Sequence, residues 1–143
     1  MRVPRQCVAE GTAVQCPKCN SPMSLVPVAA GAGVERCDGC HGIVCSDVAL
    51  SALQRHWFLW PRTDPTDVDP GPARVGRRWD RVAHVPCPAC AKTMTRTEVA
   101  EQEHIQLDRC EPCGLTFFDA GEMTDMRFRT LADVWRRLLK RRD

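Results

Sequence analysis

No stretch of this 143-residue chain stays apolar long enough to cross a membrane. The longest candidate, Trp57-Phe58-Leu59-Trp60, stops at Pro61, far short of the roughly 18 apolar residues a spanning helix needs. The opening Met1 to Val8 holds no apolar run of signal-peptide length, so the expected setting is cytoplasmic. Net charge of one sign is also scarce, with 20 basic residues against 18 acidic for a formal +2. Affinity for a polyanion therefore has to come from a local patch and not from the whole chain. Missing too is any strand-helix-strand alternation around a single Cys-x-x-Cys, the setting of a thioredoxin-like dithiol.

Cysteine is what the chain has in quantity. Ten in so short a sequence mean either a secreted disulfide framework or intracellular metal sites, and a reducing setting selects metal. Cys87-Pro88-Ala89-Cys90 is followed, after 19 residues, by Cys110-Glu111-Pro112-Cys113. The short spacing within a pair lets one turn aim two sulfurs at a single ion, and the longer gap suits a β-hairpin that brings the pairs together. This is the spacing of a four-thiolate zinc ribbon.

The unit occurs twice. Cys16-Pro17-Lys18-Cys19, 17 residues and Cys37-Asp38-Gly39-Cys40 repeat the layout, offset by 71 residues at the first pair and 73 at the second. In both copies a Met lies four residues after the second Cys (Met23, Met94), and an acid lies two before the third (Glu35, Asp108). The expected ligand sets are Cys16, Cys19, Cys37 and Cys40 for one Zn2+, and Cys87, Cys90, Cys110 and Cys113 for a second. With eight thiolates and two divalent ions in place, the formal charge moves from +2 to −2.

The fold class expected is a small metal-stabilised α+β protein with two zinc ribbons. Each is a β-hairpin carrying two Cys knuckles and is followed by an α-helix. Lobes of about 40 residues need metal to supplement so small a core. Residues 1–15 read as a lead-in, 16–60 as the first ribbon with its helix, 61–86 as a Pro-rich linker and 87–143 as the second ribbon with a basic helix. The spacing leaves open whether the two ribbons pack together.

In the first ribbon, strands are expected over Met23 to Val28 and Val34 to Arg36, with a turn between them. Ser46 is a good N-cap for a helix whose Leu50, Leu53, Trp57 and Trp60 share one face and which ends at Pro61. In the second, strands are expected over Met94 to Val99 and His104 to Arg109, with Glu101 to Glu103 as the turn. Asp119 and Glu122 have capping-box spacing for the helix that follows. The linker carries five of the eleven prolines. Its Arg77-Arg78-Trp79 reads as a solvated turn, with a phosphate contact as the less favoured use. His41 beside Cys40 reads as a knuckle side chain, because four thiols already complete the set. Cys45 aligns with Phe118 and reads as a small buried apolar residue, while Cys7 reads as a tolerated thiol.

The C-terminal helix, from about Ala120 to Arg141, places Phe128, Leu131, Val134, Trp135 and Leu138 on one face amid an excess of Arg and Lys. Packing on its own ribbon or on the first helix is the favoured use of that face. A partner's groove comes next, and Phe128, Leu131, Trp135, Arg136, Arg137 and Lys140 are the candidate partner-binding residues. Among partners, a protein or self-association is the leading expectation. Nucleic acid or an anionic membrane surface contacted through the basic helix comes second.

These residues resemble the zinc-ribbon family named for transcription factor IIB. The second copy carries Cys87-Pro88-x-Cys90, Cys110-x-x-Cys113 and the tail residues Asp119, Gly121 and Glu122, with Met123 where Leu is usual. It departs from the pattern at Leu115 and Phe117. The first copy keeps Cys16, Pro17, Cys19, Cys37, Cys40, Gly42 and Ile43, then loses the tail. The resemblance implies the same zinc ligands in both copies and a role near transcription.

Four thiolates fill tetrahedral zinc and leave no position for water or substrate, so no enzyme activity is expected. The expected function is a zinc-binding, non-enzymatic protein whose two structural ribbons serve macromolecular interaction. The alternative is a thiol-based redox or metal-sensing protein that releases zinc on oxidation, with Cys7 or Cys45 taking part.

Overall fold

The computed structural model describes residues 14–28, 33–59, 68–79, 81–99 and 102–124, with side chains at all of these except 57–59, 73, 98, 99 and 102–106. Both hairpins form where alternation and turn residues put them. β1 (Met23–Pro27) pairs antiparallel with β2 (Gly33–Cys37), Met23 standing opposite Cys37. In the second copy, the last strands and helices counted in chain order, β4 (Thr95–Val99) pairs with β5 (Gln102–Cys110). Gln102 and Glu103, expected in the turn, lie instead in β5. The register shifts between Glu98 and Val99, and that irregularity lets the longer strand begin early.

After each second Cys pair comes a third strand, β3 (Ile43–Ser46) in one copy and β6 (Leu115–Phe118) in the other. These two strands pair with each other. The result is one six-stranded antiparallel sheet in the order β1-β2-β3-β6-β5-β4. Val44 and Phe117, each four residues past the last Cys of its copy, face each other across the join. Ile43 opposes Phe118 on one side of them, and Cys45 opposes Thr116 on the other. The register is thus that of a two-fold axis through Val44 and Phe117, with equivalent positions exchanged across it. The apolar runs of β3 and β6 follow from this position, because central strands are covered on both faces.

Alternation along these strands divides the core in two. Val44 and Phe117 face a cluster that also holds Met23, Val85, Met94 and five of the ligand-set cysteines. Ile43, Cys45 and Phe118 face another, with Val34, Ala49, Leu53 and Met123. The second cluster takes the helix α1 (Asp47–Leu59), through Ala49 and Leu53 with Leu50 beside them. Ser46 caps α1 as expected, its hydroxyl accepting from the Ala49 amide at 3.2 Å. Trp60 lies outside the described residues, as do the side chain of Trp57 and most of the lead-in. Val14 and Gln15 join the first knuckle, through a hydrogen bond from the Met23 amide to the Val14 carbonyl and a bridge from Gln15 to Pro22.

The Pro-rich stretch contributes structure as well as length. It contains a short helix, α2 (Ala73–Trp79), and a buried carboxylate, Asp69. Gly76 of α2 lies so close to the second ribbon that a Cβ there would stand 2.3 Å from the Ala120 carbonyl oxygen, a separation only glycine permits. Asp69 accepts from the amides of Gly121 at 3.0 Å and Thr124 at 3.2 Å, and from the Thr124 hydroxyl at 3.3 Å. It therefore caps the helix that opens at residues 122–124, the task the spacing gave to Asp119. The other half of the expected capping box holds, with the Asp119 amide donating to Glu122 at 2.8 Å. The rest of that helix lies outside the described residues.

Asp69→Ala removes the acceptor of two helix-end amides in a buried place. It is expected to lower stability by about 2 kcal/mol in urea unfolding of the metal-loaded protein. A loss below about 0.5 kcal/mol would mean that water replaces the carboxylate and that the cap is dispensable.

Candidate metal centre

Each Cys pair sits on a tight turn of the same construction. The first and third knuckles share their bonds closely. The amides of Asn20 and Ala91 donate to the carbonyls of Cys16 and Cys87, and those of Cys16 and Cys87 to Ser21 and Lys92. In all four, the residue after the second Cys is left-handed: Asn20, His41, Ala91 and Gly114 have φ of 61°, 61°, 62° and 61°. That conformation turns the chain back beneath the sulfurs. Glycine accepts it freely and Asn tolerates it, whereas Ala91 has no side-chain compensation for its Cβ.

The structure brings the eight expected sulfurs into two groups of four. Within each group every sulfur lies within 4.8 Å of the other three. The closest pairs are Cys16–Cys40 at 3.6 Å, Cys19–Cys37 at 3.3 Å and Cys90–Cys110 at 3.7 Å. Tetrahedral zinc, with bonds of about 2.3 Å, holds its sulfurs about 3.8 Å apart. The amides of Gly39 and Cys40 point at the Cys37 sulfur, at 3.3 and 3.4 Å, and support negative charge there. Without a cation such a cluster must share protons. The Cys40 thiol holds Cys16 down to about 5, and the same bond, with burial, pushes Cys40 up. Burial raises Cys37 to about 11, and the Lys92 amide lowers exposed Cys90 to about 7. A divalent ion removes the conflict by accepting all four thiolates. Both clusters are therefore capable of coordinating metal ions, and their separations are consistent with two Zn2+ sites.

Comparison of the chain with family models, curated proteins and solved structures finds no match. The site is therefore read from its own geometry. It is zinc-ribbon-like, with two four-cysteine clusters at the ends of hairpins.

His41 stands outside both clusters. It occupies the left-handed position of its knuckle, where its Cβ fits against Gly71. Cys45 is buried in the helix-side core, its thiol donating to the Ser46 carbonyl at 3.4 Å. Burial, then the charge of Asp47, pushes it up to about 12, which leaves it protonated and inert at neutral pH. Cys7 and the candidate partner-binding residues Phe128, Leu131, Trp135, Arg136, Arg137 and Lys140 lie outside the described residues.

Sequence reading missed the ionic brace between the copies. Lys18, inside the first knuckle, has a fully buried side chain and crosses to the second ribbon. Its ammonium donates to Asp119 at 2.7 Å, lies 3.5 Å from Asp108 and stands 5.2 Å from the centre of the Phe117 ring. Arg96 bonds the other Asp108 oxygen at 3.3 Å, so two cations and two anions close the cluster. A second brace runs the opposite way. Arg109 of β5 grips Asp47 at the start of α1 with two bonds, at 2.7 and 3.1 Å, and holds its carboxyl below the usual range. The only signal in the sequence was the acid two residues before each third Cys, which marked a position without naming its partner.

Lys18→Met leaves two buried carboxylates short of a cation. It is expected to cost about 3 kcal/mol in urea unfolding of the metal-loaded protein. Lys18→Met combined with Asp119→Leu should cost less than the two single changes summed, and strict additivity would show that the pair does not interact. Ala91→Gly relieves the left-handed alanine and is expected to add about 1 kcal/mol by the same measurement. A loss of stability would place the strain elsewhere.

Proposed function

We propose that this chain is a non-enzymatic, zinc-binding interaction module of the transcription factor IIB ribbon type, working in the cytoplasm. Its two ribbons act as a single platform for a macromolecular partner. The observation that carries the reading is the pair of closed four-sulfur clusters at the root of one shared sheet. Four thiolates leave a tetrahedral ion no vacant position, so the metal's task is to hold the fold. Zinc suits this donor set because it favours tetrahedral sulfur and has no redox chemistry of its own. The family assignment rests on Cys-Pro-x-Cys, Cys-x-x-Cys and the Asp119, Gly121, Glu122 tail. The leading partner is a protein or a second copy, engaged through the apolar face of the C-terminal helix.

Native mass spectrometry of protein purified without added zinc tests the reading. Two zinc ions, no disulfides and loss of folded structure on chelation are the expected result, because binding and folding are one event in domains this small. One ion, or a mixture of disulfides, would overturn it in favour of a zinc-releasing redox protein. In that case Cys45 should become alkylatable as zinc leaves.

A further inference from the structure

α2 (Ala73–Trp79) offers two different faces. The inner one is fixed. Gly76 is buried against Ala120, and Trp79 and Val82 pack on the metal-side core. The turn after the helix is tied down twice, by the Val82 amide donating to Trp79 at 3.2 Å and by Arg96 donating to the Val82 carbonyl at 3.1 Å. The outer face carries Arg74, Arg77, Arg78 and, in that turn, Arg81, all exposed. Spacing of i, i+3 and i+4 puts Arg74, Arg77 and Arg78 on one face of α2, and Arg81 follows two residues past its end. None of them joins the ion pairs described above, whose cations are Lys18, Arg96 and Arg109.

We infer that this arginine ridge is a docking surface for the phosphate backbone of double-stranded DNA. The inference rests on the interaction-module reading and adds to its protein partner a nucleic-acid contact on a different surface. Three features select the partner. Arginine's planar fork matches phosphate oxygens, and four such groups on a docked element concentrate positive charge in a chain whose metal-loaded total is −2. The ridge has no apolar side chain among its arginines, since the large exposed apolar side chains of the described residues are Leu25 on β1 and Val48 on α1. Protein interfaces concentrate their binding energy in a desolvated centre rich in aromatic and Arg side chains, whereas a phosphate contact needs charge alone. Trp79, the one aromatic on the helix, is committed to the core, so a single strand would find no stacking platform there. Arginine side chains spread along one helix can reach phosphates on both sides of the wide major groove of B-form DNA, whereas the narrow A-form groove sets its phosphates at a different spacing. The contact carries no base readout, so binding is independent of sequence.

The test uses the full chain, shown by mass spectrometry to hold its two ions, and a fluorescent 20-base-pair DNA duplex of mixed sequence at several salt concentrations. Four arginine–phosphate contacts predict a slope of about −3.6 for log affinity against log salt. Each single Arg→Gln change on the ridge should reduce the slope by about 1, and the quadruple change should abolish most of the binding. Arg55→Gln on α1, also exposed, should leave the slope unchanged. An undiminished slope in the quadruple variant would move the contact elsewhere, for example to the basic C-terminal segment. Tighter binding to a single strand or to duplex RNA would overturn the choice of DNA. A protein that holds two ions and stays folded but ignores duplex DNA at low salt sinks the ridge and leaves the zinc-module reading intact. Failure to hold the ions sinks that earlier reading instead.

Discussion

The constraint on which everything else hangs is that eight sulfurs must converge on two points. The hairpins are short, and among the described residues the cores on the two faces of the sheet hold few large side chains. Domains with so little to bury do not pay the conformational entropy of folding by hydrophobic burial alone. A cation at each cluster reverses the balance, since it turns four mutually repelling thiolates into one bonded centre. The left-handed residue after every second Cys serves the same end by aiming the sulfurs inward, even at Ala91, where no glycine eases it. From each centre a hairpin extends, and from each hairpin a third strand emerges whose only unpaired edge faces the other copy.

That edge makes the two copies one body, and charge then makes them unequal. The sheet obeys a two-fold axis at Val44 and Phe117, yet the residues around it do not. Where one copy has Lys18, the other has Ala89. Where one has Asp119 after its third strand, the other has Ser46. The buried ammonium therefore runs in one direction only, from the first knuckle to the second ribbon, and Arg109 to Asp47 runs back at the other end of the join. The two braces differ in kind. The Arg109 pair is partly solvated and contributes little net stability, whereas Lys18, Asp108 and Asp119 are buried, so removing the ammonium leaves buried carboxylates with less compensating charge. A symmetric sheet can slip or exchange with a second chain, and an asymmetric buried charge cluster specifies which edge meets which.

What could be read from the sequence was whatever local chemistry decides. Spacing within and between Cys pairs gave the knuckles, the hairpins and the grouping of sulfurs, because one turn and one hairpin are enough to bring those atoms together. Ser46 was legible as a cap for the same reason. The pairing of β3 with β6 was not. The run Gly42 to Cys45 is equally apolar whether it covers its own ribbon or joins another, and nothing in it names its neighbour. Asp69 stayed hidden because one of several Asp residues in a Pro-rich stretch looks solvated, and only its burial against Gly121 and Thr124 shows otherwise. α2 was missed because its arginines break the apolar period and its docking residue is a glycine, whose contribution is the absence of a side chain. Lys18 drew no assignment, since sequence shows no partner 101 residues away.

The tail of the second ribbon is where these hidden contacts meet. Asp119 receives Lys18 from the first knuckle, and Ala120 receives Gly76 from α2. The amides of Gly121 and Thr124 receive Asp69 from the stretch between the copies. Two segments far apart in the chain, the first knuckle and the stretch between the copies, are thus anchored on six consecutive residues. The tail residues that carry the family resemblance, Asp119, Gly121 and Glu122, are engaged in holding this junction, so their presence is explained by the fold without any direct contact to a partner. The surface that the junction supports is then the outward face of α2 with its arginines. It is held in place by the second ribbon. The four-sulfur cluster of that ribbon lies at the base of the same strands, so the integrity of that cluster sets how firmly the surface is presented.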